Sequence, residues 1–575
     1  MSARPKRGAD DSASAVGVSG QFCDRFGTLY ADLGCERVIC FFCRGSAYLF
    51  APKPCSDDGA FLRVQKNVSD MVTQVRPASL PPSPVEIADR WWLLAAGGVS
   101  LLLLLVFYPG MYTSIDEAST FSMAYVLRHG TIFPGHTPAF HNAEFYPSLS
   151  PLGAQGRVYR FPLGFPLVLS AVSWIGWRAF FLVNPLLHLI AAGCFAGILR
   201  ANRIPPRYAV LYLLFPGFVL FTRTLFSDAF AASLTTIALY LLLCRRVPFA
   251  AGLCLGLALL SRSTSLVVAV ILLIAPLLSD WKERRQIPVW KGQAARMLAG
   301  LVPFLAVNWA YNFCVFGSPF QSAYSAQSLS WHGLVESGPR YALALLLIYP
   351  GLGLAPFFYR GAFWREGLAA ALLVTLVAAS YNESTFGNSA LQTLLSTPRQ
   401  VLPVMPFFLL AFCGVLWERA GAARLALPKR AKLEGLVAVG LVAVSGVIAF
   451  QHQHYLKSLQ AIQKEVQSSL PPRSIVYANK DVYKLHQPVW DNGVCRELPD
   501  ISASQSQADL QNGPVFVVLK ARSRGFAGED SVNAGVVRNM QSRFRLADGP
   551  KSASGQVQYY RVLGLKTPRP SAEAD

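Results

Sequence analysis

Charge is what this chain has least of. Only 15% of its 575 residues are Asp, Glu, Lys or Arg, and just 32 are acidic, well below the charged share of soluble domains. With 53% hydrophobic residues and a mean hydropathy of +0.36, that scarcity excludes an ordinary soluble protein. Motifs are missing too. The chain has no Asp-x-Asp pair to hold a nucleotide-bound metal and no Walker A or dinucleotide-binding glycine motif, which argues against a soluble nucleotide substrate. Of its 11 cysteines, Cys194, Cys244, Cys254, Cys314 and Cys413 sit inside apolar runs, where a thiol acts as a small apolar side chain. Cys23, Cys35, Cys40, Cys43 and Cys55 precede the first long apolar run. Cys40 and Cys43 form a CxxC without a second CxxC or a nearby His, so half of a zinc site is lacking. Cys495 is alone near the C-terminus, so no disulfide forms within that region.

What is present is a series of apolar runs, for example 91–107, 229–244, 264–279 and 433–450, approaching the roughly 20 residues that cross a bilayer. The net charge of +20 is not gathered in one stripe of the kind that binds nucleic acid. It falls in short loops: Arg200, Arg203 and Arg207; Arg245 and Arg246; Lys282, Arg284, Arg285, Lys291 and Arg296; Arg360 and Arg365; Arg419, Arg424, Lys429, Arg430 and Lys432. The positive-inside rule places these in the cytoplasm. The fold class expected is therefore an α-helical multi-pass membrane protein with about 11 spans, near 91–107, 178–199, 207–222, 228–244, 248–262, 264–279, 297–316, 340–359, 362–381, 400–418 and 433–450. Parity leaves 162–177 as a helix lying in the outer interface, consistent with its Pro162, Gly164 and Pro166.

The domain organisation expected is a disordered cytoplasmic segment over 1–90, a transmembrane domain over 91–450 with a first outer loop at 108–177, an extracytoplasmic α/β domain over 451–566, and a disordered tail over 567–575. Met71 followed by a Pro-rich stretch reads as an alternative start, with 1–70 as an extension before it. In the C-terminal region a helix over 451–469, strands over 474–478, 515–519 and 557–562, and an amphipathic helix over 531–543 are expected.

A carboxylate beside a bilayer must be hydrated, paired or used. Asp116 and Glu117 follow the first span, in a stretch able to form a short helix over 112–124. A general base acting on a membrane-borne substrate belongs there; the alternative is that both merely favour a helix N-terminus. Asp228 follows Arg223 by five residues, and the two could pair at the interface. Arg262 lies between two apolar runs with only Ser261, Ser263 and Thr264 as polar neighbours. Such an arginine faces a cavity or an anion, phosphate suiting its planar fork, or else it snorkels at a helix end.

Taken in order, these pieces resemble the type C membrane glycosyltransferases, the branch with protein O-mannosyltransferases, the lipid A aminoarabinose transferase and bacterial core-sugar transferases. The resemblance runs over 91–450. It rests on Asp116-Glu117, on the 159–166 segment from Tyr159-Arg160 to Pro166, on 223–228 from Arg223 to Asp228, on 256–262 from Gly256 to Arg262, on 312–320 with Tyr324, and on Pro398-Arg399-Gln400 through Pro403 with Pro406. This chain departs from the pattern in having Asp228 where family members often have Glu, and Pro162-Leu163-Gly164 where they have a double proline. The resemblance implies an inverting sugar transfer from a polyprenyl-phosphate donor to a hydroxyl on a glycan, lipid or protein, in an inner membrane with the site facing the periplasm or exterior. Asp116 would be the base and Glu117 would support it. Arg262, with Arg160 or Arg399, would hold the phosphate. Asp228, Arg223 and Tyr159 would contact the acceptor or position the arginines. No cofactor follows from the motifs, and assistance by a divalent metal is left open. Two other classes compete: a transporter, which commonly shows internal repeats that this chain lacks, and a polysaccharide polymerase or ligase, expected to place its key residues in a late outer loop.

Overall fold

The computed structural model describes residues 39–43, 46–50, 84–112, 114–132, 149–153, 156–159, 161–279, 287–321, 330–380, 397–422, 427–478, 482, 494–498, 503–520 and 529–566. The chain divides into two compact units, 1–83 and 84–575. In the first, strands β1 (Ile39–Cys43) and β2 (Ser46–Phe50) pair as an antiparallel hairpin, within the segment expected to be disordered. The tail over 567–575 lies outside the described residues.

The second unit is mainly helical. It opens with α1 (Pro84–Val106) and α2 (Ile115–Arg128), then the hairpin β3 (Leu149–Gly153) and β4 (Gly156–Tyr159), then α3 (Gly164–Val172). Next come α4 (Phe180–Ala201), α5 (Ala209–Leu213), α6 (Pro216–Phe221), α7 (Ser227–Tyr240), α8 (Pro248–Ser261), α9 (Ser265–Ser279) and α10 (Ile287–Phe316). After α11 (Trp331–Leu347), α12 (Ala355–Phe358) and α13 (Trp364–Ser380), a 3-10 helix (Thr397–Val404) leads into α14 (Met405–Ala422) and α15 (Leu427–Ser469). Among the described residues, six helical stretches are long and apolar enough to cross a membrane: 89–106, 177–201, 227–245, 292–316, 397–419 and 432–469. The chain is a helical membrane protein.

Several expected spans are broken, each for a backbone reason. The run 207–222 becomes α5 and α6, because Pro216 has no N–H to continue α5 and Phe215 before it turns extended (ψ 125). The run 340–359 becomes α11 and α12, separated by a turn containing Gly351 at φ +86. The stretch 162–177 yields α3, whose nine residues measure about 14 Å, too short to cross.

Helix packing relies on small residues, as expected where lipid is as apolar as the side chains. A Cβ on Gly252 would lie 2.0 Å from the Met297 carbonyl oxygen, and one on Gly300 would lie 2.2 Å from that of Phe249. These two glycines let α8 and α10 cross backbone to backbone.

The basic loops meet at one end of the bundle. Arg207 donates from Nη1 to Asp89 at 3.0 Å and from Nε to Glu434 at 2.9 Å, while the Tyr208 hydroxyl donates to the same Glu434 at 3.0 Å. Tyr359 and the Ala362 N–H donate to Asn202 at 3.0 and 2.9 Å, and Cys244 reaches the Gly197 carbonyl at 3.5 Å. At the opposite end, Phe107 of the α1 exit meets Phe450 of α15, ring centroids 6.4 Å apart. Helices α1 and α15 therefore run parallel, and the crossings from α1 through α15 are odd in number. The third expected basic loop begins outside the described residues, which resume at Ile287.

The boundary expected at 451 falls inside α15, which continues unbroken to Ser469. Beyond it, β5 (Ile475–Ala478), β6 (Val494–Glu497), α16 (Ala503–Asn512), β7 (Val515–Lys520), α17 (Glu529–Arg543), β8 (Phe544–Asp548) and β9 (Val557–Leu565) form a mixed sheet of order β6-β5-β7-β9-β8. β6, β5 and β7 are parallel, and β9 is antiparallel to both β7 and β8. The strands β6 and β8 and the helix α16 add to the elements read from sequence. Beneath the sheet, buried Asp509 accepts from Arg496 Nε and from the Tyr477 hydroxyl, both at 2.8 Å, and from Gln505 at 3.1 Å. Burial pushes the Asp509 carboxyl up, but these donors outweigh it and hold it below the usual carboxylate range. One apolar core links the sheet to the membrane helices, joining Met111, Phe121, Phe165 and Phe230 through Leu456, Leu459 and Ile462 to Phe516, Val518 and Tyr559.

Candidate active site

The end of the bundle opposite the basic loops is where helix termini deliver charge. Ser114 caps α2: its Oγ accepts from the Glu117 N–H at 3.2 Å. That start places Asp116 and Glu117 in the first turn, where the helix dipole favours carboxylates. Neighbours on a helix point to different sides, and here the two acids separate completely. Glu117, 1% exposed, turns inward, accepting from the Ser114 hydroxyl at 3.2 Å and from the Leu225 N–H at 2.9 Å. The Asp116 side chain keeps 21% of its surface and faces Arg399.

Arg399, on the 3-10 helix, joins two acids. Its Nη2 lies 3.4 Å from Asp116 and its Nε 3.4 Å from Asp228. Asp228, fully buried in the first turn of α7, also takes Arg262 Nη2 at 2.8 Å. Arg262 in turn donates to the side-chain oxygen of Gln400. Arg262 leaves α8 as its C-cap in extended conformation (φ −153), which turns its side chain out of the helix. The result is an alternating chain, Asp116–Arg399–Asp228–Arg262, in which each buried charge meets one of opposite sign, as a low-dielectric setting demands. The guanidinium of Arg399 also stands 4.2 Å over the Phe226 ring.

The segments that carry the family resemblance converge here. A Cβ on Gly164, at the start of α3, would lie 2.5 Å from Ser261 Oγ and 2.7 Å from the Leu260 carbonyl carbon. Only glycine allows α3 to press on the end of α8 beside Arg262. Asn312 closes the turn after α10 by donating to the Pro319 carbonyl at 3.2 Å.

Other expected site residues are placed differently. Arg223 does not pair with Asp228, whose partners are Arg262 and Arg399. It donates instead to the carbonyls of Leu103, at 3.3 Å, and Phe107, so its cation serves the C-terminal end of α1, where the dipole welcomes it. Tyr159, 1% exposed, packs in an apolar cluster with Met123, Leu163, Leu260, Tyr311 and Phe316. Arg160 and Tyr324 lie outside the described residues. No group of three His, Cys, Asp or Glu side chains able to hold a metal is found among the described residues. Asn184 and Ser114 were not singled out from sequence, and Phe226 and Gln400 only as parts of segments; the one available signal for Asn184 was an amide within an apolar run and directly before Pro185.

No protein-family profile matches the chain, and no curated protein sequence matches it. Among solved structures it is similar to ArnT from Cupriavidus metallidurans bound to undecaprenyl phosphate, with a TM-score of 0.48 and 14% identity over 83% of this chain and 99% of that one. The apo state of the same ArnT gives a TM-score of 0.47 and 16% identity over 82% of this chain and 98% of that one.

Proposed function

We propose that the chain is a membrane glycosyltransferase that moves a sugar from a polyprenyl-phosphate donor to an acceptor hydroxyl with inversion at the anomeric carbon. The observation that carries this reading is the alternating chain of Asp116, Arg399, Asp228 and Arg262 at one end of the bundle, with Asp116 its only member that keeps substantial exposure. Asp116 takes the proton of the acceptor hydroxyl as its oxygen bonds to the anomeric carbon. The bond from that carbon to the phosphate oxygen breaks on the opposite face, and polyprenyl phosphate leaves. Arg262 and Arg399 receive the phosphate and the charge it gains, a task for which two forked guanidinium groups are suited. Asp228 fixes the spacing of the two arginines, and Glu117 ties α2 to the turn before α7.

The site lies at the end away from the basic loops, which under the positive-inside rule supports an extracytoplasmic site. The test is transfer of radiolabelled sugar from polyprenyl phosphate in membranes containing the chain. Loss of that transfer in Asp116→Asn at normal expression supports the reading; full transfer in that variant removes it.

A further inference from the structure

The turn between α6 and α7 brings Asp228 into the site, and side chains from two other helices hold its backbone. Asn184, 1% exposed on α4, donates through Nδ2 to the Thr224 carbonyl at 2.9 Å and to the Phe226 carbonyl at 3.0 Å. Both amide hydrogens thus have carbonyl acceptors, which fixes the amide orientation. Between those carbonyls, the Leu225 N–H donates to Glu117. The peptide groups from 224 to 226 are therefore pinned from α4 on one side and α2 on the other. Phe226 ends the turn in extended conformation (φ −80, ψ 137) as the N-cap of α7. Its direction fixes where its ring stands, 4.2 Å beneath the Arg399 guanidinium.

Packing alone does not account for Asn184. It sits in an apolar run of α4 where Ala or Leu would fill space without burying an amide, and an amide buried at membrane depth is costly unless its hydrogens are used. They are used on this turn. We propose that Asn184 is a positioning residue for the donor phosphate: through the 224–226 turn it sets the Phe226 ring, and the ring sets Arg399. The inference rests on the reading of Arg399 as a phosphate ligand.

The experiment measures donor and acceptor KM and kcat for sugar transfer, and binding of polyprenyl phosphate itself, in the full chain carrying Phe226→Leu, Asn184→Ala or both. Phe226→Leu removes the ring and leaves the Asn184 hydrogen bonds in place, so it reports even where Asn184→Ala lowers expression. Each single variant is expected to raise donor KM about tenfold, the worth of a partly buried cation–π contact, with acceptor KM unchanged. The double variant is expected to match the worse single one, since both act through Arg399. Wild-type donor KM in a normally folded Phe226→Leu overturns the proposal while leaving the transferase reading standing. So do effects that multiply to about a hundredfold in the double variant, because independent sites combine in that way. A wild-type chain that neither binds polyprenyl phosphate nor transfers sugar overturns both.

Discussion

Arg399 and Asp116 are 283 residues apart along the chain and 3.4 Å apart in the fold. The contact joins the first turn of α2 to the 3-10 helix before α14, so two distant segments must both be in place before the proposed base faces the proposed phosphate-binding arginines. Asp228 repeats the arrangement between Arg399 and Arg262. Removing either middle member, Arg399 or Asp228, takes the ion-pair partner from the end member beside it.

The two adjacent acids are expected to differ in kind. Asp116→Asn should lower transfer by about 10²–10⁴-fold, the usual cost of a lost general base, with a near-normal melting temperature because Asp116 is partly exposed. Glu117→Gln removes one of two buried acceptors and should cost about 1–3 kcal/mol of stability, with a smaller loss of transfer. Melting curves and transfer assays on both variants check the contrast.

Arg262 Nη2 pairs with the Asp228 carboxylate and donates to Gln400. Arg262→Lys keeps the charge and loses the fork, so it should retain partial activity. Arg262→Ala should lose about 10²–10³-fold, the scale for removing one group that stabilises developing charge. Equal transfer by Arg262→Ala and wild type would return this side chain to a snorkelling role.

Gly164→Ala places a methyl group 2.5 Å from Ser261 Oγ and against the Leu260 backbone. Overpacking of this kind costs about 1–3 kcal/mol, and here it shifts the end of α8 that carries Arg262, so activity should fall along with stability. Gly193→Ala, whose added methyl meets nothing within 4 Å, is the matched control and should behave as wild type in both assays.

Acid should weaken the C-terminal sheet through Asp509. Its folded-state pKa lies below the ordinary value, so its contribution is complete above the ordinary Asp range and is lost as pH falls through the depressed value. In the solubilised full-length chain, melting temperature should begin to fall below about pH 4. Asp509→Asn should lower it at neutral pH and flatten the acid limb.

Topology can be read directly. A reporter active only outside the cytoplasm should be active when fused after Leu565, the end of β9, and inactive when inserted near Arg285. An inactive fusion after Leu565 would reverse the orientation and place the site in the cytoplasm.

Much of this was legible in the sequence, for definite physical reasons. Apolar runs announce membrane helices because crossing a bilayer sets a minimum length, and Asp116, Asp228 and Arg262 stood out because charge is rare in such a setting. The breaks at Pro216 and Gly351 were missed because hydropathy averages over side chains and is blind to backbone dihedral angles. Arg223 and Asp228, five residues apart, looked like partners; tertiary packing instead brought α1 carbonyls to one and two distant arginines to the other. Glu117 and Asp116 are indistinguishable as letters. Only the cap at Ser114, which sets the rotation of α2, decides which of them faces the arginine. Asn184 escaped notice because one amide in an apolar stretch carries no pattern.

The 43 residues of α15 extend about 65 Å at 1.5 Å per residue, roughly twice the hydrocarbon thickness of a bilayer. Phe450 marks where it meets the exit of α1, and the remainder to Ser469 carries Leu456, Leu459 and Ile462 into the apolar core it shares with the sheet. The sheet follows an unbroken helix and not a tether, so the register of that core is tied to helical geometry. One residue inserted after Phe450 would move the helix beyond it by about 1.5 Å and turn it by about 100°, taking Leu456, Leu459 and Ile462 out of the core they share with Phe165 and Phe230. Tolerance for insertions in this stretch of α15 should therefore follow the helical repeat, worst at half a turn and recovering near a full one.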